Sequence, residues 1–145
     1  GESYADALIA ESLLEHLENP SQAVKEFYRV LKPGGILYII TPFIMEFHSS
    51  PADYQRWTLT GLRKLLDNFE EKEAGVMWGP TLAFSHIFSS WLALILSFGN
   101  RQLYQLFFMF FALIFAPLSI FDYILARHPS AENIAHGIYF IGVKK

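Results

Sequence analysis

Hydrophobic and polar positions change their spacing several times along the chain, and each change marks an element. Ala5 to Ala10 (ADALIA) is a short apolar run beside an acidic cluster, the pattern of a buried strand. Glu11 to Leu17 (ESLLEHL) follows as about two turns of helix. Asn19-Pro20 then marks a helix start, Asn as the cap and Pro at the first helical position. Val24, Phe27, Tyr28 and Leu31 recur at i, i+3, i+4 and i+7, giving one apolar stripe with Lys25, Glu26 and Arg29 outside it. Pro33-Gly34-Gly35 stops the helix in a tight turn. Ile36 to Ile40 (ILYII) is a nearly continuous apolar run, as a strand covered on both faces shows, and Thr41-Pro42 ends it. Strand, helix, turn and strand within about 40 residues is the length of a right-handed parallel crossover.

The second part of the chain is patterned differently. Phe43 to Trp57 is polar, aromatic and proline-bearing, an ordered loop. Thr58 caps a predicted helix whose Leu59, Leu62, Leu65, Leu66 and Phe69 share a face. Glu70 to Trp78 and Ile134 to Val143 are strand candidates. Between them the charges disappear. Leu82 to Gly99 holds none beyond a possible one on His86, and Leu103 to Phe121 holds none at all. Gly99-Asn100-Arg101-Gln102 separates the two runs like a turn. Each run is close to the about 20 residues that cross a bilayer core as a helix. Phe107 to Phe111 (FFMFF) spreads large apolar groups around the whole circumference, and Pro117 should kink or end the second helix near Leu118.

Composition narrows the class. The chain has 145 residues, room for one domain or part of a larger one. A net charge of −3 with scattered Lys and Arg offers no nucleic-acid surface. Cysteine is absent, which excludes disulfides and thiolate metal sites. The start at Gly1, with no basic segment leading into an apolar run, carries no secretory signal pattern. The expectation is that the beginning of the natural protein is missing, an expression scar explaining that one residue equally well.

Ser12-Leu13-Leu14-Glu15-His16, Asn19-Pro20 and Tyr28-Arg29-Val30-Leu31-Lys32-Pro33-Gly34-Gly35 resemble, in order and spacing, the run after the fourth strand of class I S-adenosylmethionine-dependent methyltransferases, type 11 branch. His48, Pro51, Asp53-Tyr54, Arg56, Thr58 and Gly61-Leu62 resemble a signature of one subset. Ala135-His136-Gly137-Ile138-Tyr139-Phe140 and Lys144 resemble the final strand. The resemblance implies an α/β fold: strands four to seven of a Rossmann-like sheet, the last inserted antiparallel between the fifth and sixth. Residues 1–80 would then be the C-terminal half of the core, 81–127 an apolar helical insertion, and 128–145 the final core strand. It also implies S-adenosylmethionine as cofactor. The glycine-rich loop after the first strand and the acidic residue ending the second, which hold that cofactor in the family, precede the matched region. The chain alone should therefore bind it weakly or not at all, its partner being the missing N-terminal half, and its β-edge at Ala5–Ala10 should be uncovered.

Site candidates follow from position in such a sheet. Ala10, Glu11 and Ser12 lie at the carboxyl end of a parallel strand, where open α/β sheets bind ligands, and would face the methionine end of the cofactor. Alternatively, Glu11 only complements a helix N-terminus. His16 and His48 are the candidate catalytic residues, as general bases or as groups that orient the acceptor. For His16 the structural alternative is a tie between its helix and the Thr41–Phe47 loop. Glu15, Asp53, Tyr54, Arg56 and Trp57 are candidate substrate contacts, Arg56 suited to a carboxylate or phosphate. An internal Asp53–Arg56 pair with Tyr54 and Trp57 packed below is the alternative. No metal site is expected, because no second histidine falls at ligand spacing.

The apolar runs read as a membrane-embedded or re-entrant hairpin, or as a helical cap over the site or at a dimer interface. Two functions remain open. One is a methyltransferase for a small-molecule or lipid-linked acceptor, cytoplasmic and held at a membrane face. The other is a non-catalytic, membrane-anchored interaction module of methyltransferase-like fold.

Overall fold

The computed structural model describes residues 3–48 and 52–145; the signature's Pro51 lies outside them. Four strands form one sheet in the order β1-β2-β4-β3. Strand β1 (Ala5–Glu11) pairs in parallel with β2 (Leu31–Pro42) through Ala7↔Ile36 to Glu11↔Ile40. Strand β4 (Gly137–Lys144) runs antiparallel to both β2 and β3 (Phe69–Trp78) and lies between them. This is the arrangement the resemblance implies.

Helix α1 (Pro20–Val30) makes the crossover from β1 to β2, with the Asn19 Oδ1 accepting from the Gln22 N–H at 3.2 Å. Helix α2 (Leu59–Leu65) begins at Thr58, whose hydroxyl accepts from the Gly61 N–H at 3.0 Å. Both lie on one sheet face, where Val24, Leu62 and Leu66 pack on Leu37, Ile39, Ile138 and Phe140. The register places Ile9, Tyr38 and Ile141 together on the opposite face. There Ile9 is 70% and Ile36 48% exposed. Contrary to the expected buried strand, β1 is thus an edge strand with one open face.

Two further expectations are corrected. Glu11–Leu17 is not helical throughout: Glu11 still pairs with Ile40, Ser12 takes a positive φ of 47°, and only Leu14–His16 closes a single 3₁₀ turn. The Pro-Gly-Gly segment is not a turn ahead of the strand. It is an outward bulge within β2, since the register steps from Ala5↔Leu31 to Ala7↔Ile36. Gly34 sits there at φ +78°, open to a left-handed conformation that a side chain disfavours. A Cβ on Gly35 would meet the Lys32 carbonyl oxygen at 2.8 Å.

Between β3 and β4 the chain forms a hairpin of α3 (Pro80–Leu96) and α4 (Arg101–Phe115), joined by a turn with Gly99 at φ +81°. Asn100 caps α4 by accepting from the Gln102 and Leu103 N–H groups. At Pro117 the α-helix has given way to a 3₁₀ segment, Ala116–Phe121, which runs into the short α5 (Asp122–Leu125). Gly79, the N-cap of α3, has no side chain to accept hydrogen bonds. Instead Asp122 reaches back, its two oxygens accepting from Thr81 and Leu82 N–H at 2.8 and 3.0 Å. The hairpin is inside out: Ser85, Ser89 and Ala93 are buried at four-residue spacing, while Trp91, Leu106, Met109 and Leu113 are 53–75% exposed. Arg101–Leu125 is the one helical run among the described residues long and apolar enough to span a bilayer; Pro80–Leu96 is apolar but shorter. A 3₁₀ turn (Ala131–Asn133) leads into β4, which starts at Gly137 rather than at Ile134.

Candidate functional site

Strands β1 and β2 are parallel, so their carboxyl ends open onto the same edge, and the segments that follow them meet there. After β1 comes the turn with Glu15 and His16; after β2 comes the loop holding His48 and Asp53 to Trp57. The loop is strapped over the turn by backbone and side-chain bonds. The Tyr54 N–H donates to the Glu15 carbonyl at 2.8 Å, and the Gln55 amide donates to the carbonyls of Leu14 and Leu17. His16 Nδ1 donates to the Ala52 carbonyl, so its tie is to this loop farther along than Phe47. These contacts bring together two histidines 32 positions apart in sequence, their ring centroids 5.1 Å apart and edge to face.

At the centre is Glu15. Its side chain is fully buried (0% exposed), and among the described residues neither carboxylate oxygen has a hydrogen-bond partner. The His16 and His48 Nε2 atoms each lie 3.9 Å from its Oε1. Burial pushes the Glu15 carboxyl above its usual range, partly offset by the charges of His16, His48 and Arg56.

Beside it, Asp53 is clamped by Arg56, whose Nη1 donates to Oδ1 and Nη2 to Oδ2. The His48 N–H also donates to Oδ2, at 3.0 Å. The Arg56 guanidinium holds the Asp53 carboxyl down at about 2. Arg56 also donates to the Glu46 and Gln55 carbonyls. The Asp53–Arg56 pair therefore shapes the loop and orients His48.

The remaining expected residues divide. Ala10 is buried at the carboxyl end of β1, Glu11 is exposed beside it, and the Ser12 N–H donates to Ile40 at 3.0 Å. They form one wall at the strand ends. Among the described residues no glycine-rich loop faces that wall, so these residues alone do not enclose a nucleoside. Tyr54 points outward, its hydroxyl donating to Glu18 at 2.9 Å, and with Met45, Phe47, Asp53 and Arg56 it lines a cavity of about 370 Å³. Trp57 packs against the core instead.

A second polar cluster had no signal in residue spacing. His86, inside the apolar α3, meets Glu46 Oε1 with its Nδ1 at 3.2 Å, and its ring lies 4.8 Å from that of His136. His136 Nδ1 donates to the Ile44 carbonyl at 2.9 Å. The His86 bond holds Glu46 below the usual carboxylate range, whereas burial, ahead of the charge on His86, lowers the His136 pKa. The one hint was a lone histidine in a charge-free run. Next to this cluster an apolar groove of about 390 Å³ is lined by Ile44, Phe84, Phe88, Trp91 and Ile134.

Residues 1–39 match the family model described as a methyltransferase domain. A sequence search of curated proteins finds no match. Among solved structures, the chain is similar to the [4+2]-cyclase SpnF at 21% identity and TM-score 0.56, covering 99% of this chain and 50% of that one. It is similar to a Haemonchus contortus phosphoethanolamine N-methyltransferase, in complex with phosphomonomethylethanolamine and S-adenosylhomocysteine, at 15% identity and TM-score 0.56, covering 99% and 34%. Coclaurine N-methyltransferase, bound to N-methylheliamine and S-adenosylhomocysteine, matches at 10% identity and TM-score 0.53, covering 99% and 48%. The chain thus has the mixed α/β fold of class I S-adenosylmethionine-dependent methyltransferases, and it spans about a third to a half of the length of these structures.

Proposed function

We propose that this chain is the acceptor-side part of an S-adenosylmethionine-dependent methyltransferase acting on a small-molecule or lipid-linked, amphiphilic acceptor at a membrane face. The observation that carries the reading is the Glu15–His16–His48 cluster at the carboxyl edge of β1 and β2, the edge where such sheets bind ligands. The cofactor supplies an electrophilic methyl on a sulfonium. Ala10, Glu11 and Ser12 would form one wall beside it, and the glycine-rich wall would come from sequence ahead of these strands. Residues 1–80 and 128–145 then form the core, and 81–127 an insertion.

An acceptor hydroxyl or amine that carries a proton on the methylated atom would have to give it up. His48 Nε2 is placed to take that proton, since its side chain is one-third exposed while Glu15 behind it is sealed. Positioning supplies much of the rate of such a displacement. The inside-out hairpin supports membrane placement, because small side chains at the helix contact with large apolar ones facing outward suit lipid. The fold by itself does not imply methyl transfer, since SpnF, of similar fold, is a cyclase, and the alternative reading is a non-catalytic anchored module.

The test is transfer of labelled methyl from S-adenosylmethionine into a membrane-lipid extract by the protein expressed from its whole reading frame. His48→Ala should lower the rate by about 10²–10⁴-fold. Label transfer unchanged in that variant removes His48 from the chemistry, and no transfer with no cofactor binding removes the enzyme reading.

A further inference from the structure

We propose that Glu15, His16 and His48 form a binding site for a divalent first-row transition ion of the zinc class. The inference deepens the acceptor site proposed above, but it stands on its own geometry.

A carboxylate with no exposed surface and, among the described residues, no hydrogen-bond partner on either oxygen is a costly arrangement, because a buried charge needs a partner. Two imidazoles face Glu15, with the Arg56 guanidinium farther off; both Nε2 atoms lie 3.9 Å from its Oε1, too far to donate a hydrogen bond. One ligand atom from each of the three residues fits within a span of 4.8 Å. With bonds of about 2.0–2.1 Å, ligand atoms of a tetrahedral ion sit about 3.4 Å apart, so each Glu15–histidine separation needs to close by only about half an ångström.

The outer ring nitrogen of His16 supports the case. A metal-ligating histidine is normally held by its second N–H on a carbonyl or carboxylate, which fixes the tautomer and aims the other nitrogen inward. His16 Nδ1 is bonded to the Ala52 carbonyl. His48 Nδ1 lies 3.6 Å from the Asp53 carboxylate, beyond hydrogen-bond reach, and 3.5 Å from Arg56 Nη2, which can only donate. Binding an ion at Nε2 would therefore require the His48 proton to move to Nδ1, toward Asp53. Both rings present Nε2 toward Glu15. Two imidazoles and a carboxylate suit zinc or iron(II) better than magnesium, which prefers an all-oxygen shell. The open side of the ion would remain free for an acceptor heteroatom, whose proton it would make easier to lose. His16 and His48 would then act as ligands rather than as bases.

The test is calorimetric titration of the tag-free protein expressed from its whole reading frame, in mild detergent, with zinc and separately with magnesium. The expected result is one zinc per chain, with magnesium at millimolar concentration failing to displace it. Glu15→Gln, His16→Gln and His48→Gln should each weaken zinc binding by at least about 100-fold, the upper end of what losing a supporting partner alone costs. His128→Ala, at an exposed histidine, should leave it unchanged. Circular dichroism checks each variant; if Glu15→Gln unfolds, the one-third exposed His48 position decides. Absence of zinc binding, binding that survives His48→Gln, or equal loss in His128→Ala overturns the proposal. Because no cofactor or acceptor is present, a negative result here leaves the methyltransferase reading standing.

Discussion

Replacing Asp53 with Asn keeps the side chain's shape and removes the charge that Arg56 grips with both terminal nitrogens. The carboxylate side chain is 2% exposed, so solvent cannot substitute for the lost partner. Its pKa falls from 3.8 to about 2 in the folded chain. At 1.36 kcal/mol per tenfold change, that difference corresponds to about 2 kcal/mol of stability. For a chain of this size, this is a drop in Tm of about 4–8 °C. The sign follows from the direction of the shift. A carboxyl held low in the folded state stabilises it above the unfolded pKa, and that contribution disappears as pH falls through the folded pKa. Wild type and Asp53→Asn should therefore differ most at neutral pH and converge between about pH 4 and 2. Thermal melts of both proteins across that range measure the gap. A neutral-pH difference below about 0.5 kcal/mol, or a gap that stays constant down to pH 2, would refute the reasoning.

Three further outcomes are expected. Gly35→Ala should destabilise by about 1–3 kcal/mol in urea melts, because the new methyl would press on the Lys32 carbonyl inside the β2 bulge. Asn19→Ala should cost about 1 kcal/mol through loss of the α1 cap, read from the same melts. Changing Leu106, Met109 and Leu113 together to Gln should lower partition onto lipid vesicles by about a hundredfold, since these side chains are 61–75% exposed and each would lose at least about 1 kcal/mol of burial in lipid. Flotation of the triple variant with vesicles as efficiently as wild type would count for a protein-covering cap instead.

Much of the sheet was legible because local rules sufficed. Asn19-Pro20 and the Val24–Leu31 stripe place α1, and the two apolar runs beside it pair as a parallel crossover must. The resemblance supplied the antiparallel insertion of β4, which no local pattern shows. The Pro-Gly-Gly bulge was misread as a turn because a positive φ at Gly34 serves both, and only pairing with β1 separates them. Glu11 belongs to a strand for the same reason: its partner, Ile40, is remote in sequence.

The site was half legible. Each candidate at the strand ends was visible, yet their mutual geometry depends on a loop tied back by Gln55 and Ala52, residues with no chemical signature of their own. That tie brings His48 to His16, and it is why a ligand spacing absent from the sequence exists in space. Glu46, His86 and His136 were missed likewise, because α3 must meet the loop after β2 and the segment just ahead of β4 before they come together.

The central claim, that the carboxyl edge of β1 and β2 faces the cofactor and its acceptor, is most directly tested by hydrogen–deuterium exchange. The protein expressed from its whole reading frame would be compared with and without S-adenosylhomocysteine. Slower exchange at residues 10–16 and in the loop after β2 is the predicted result. Ligand binding that protects only other regions, or no binding at all, would contradict it.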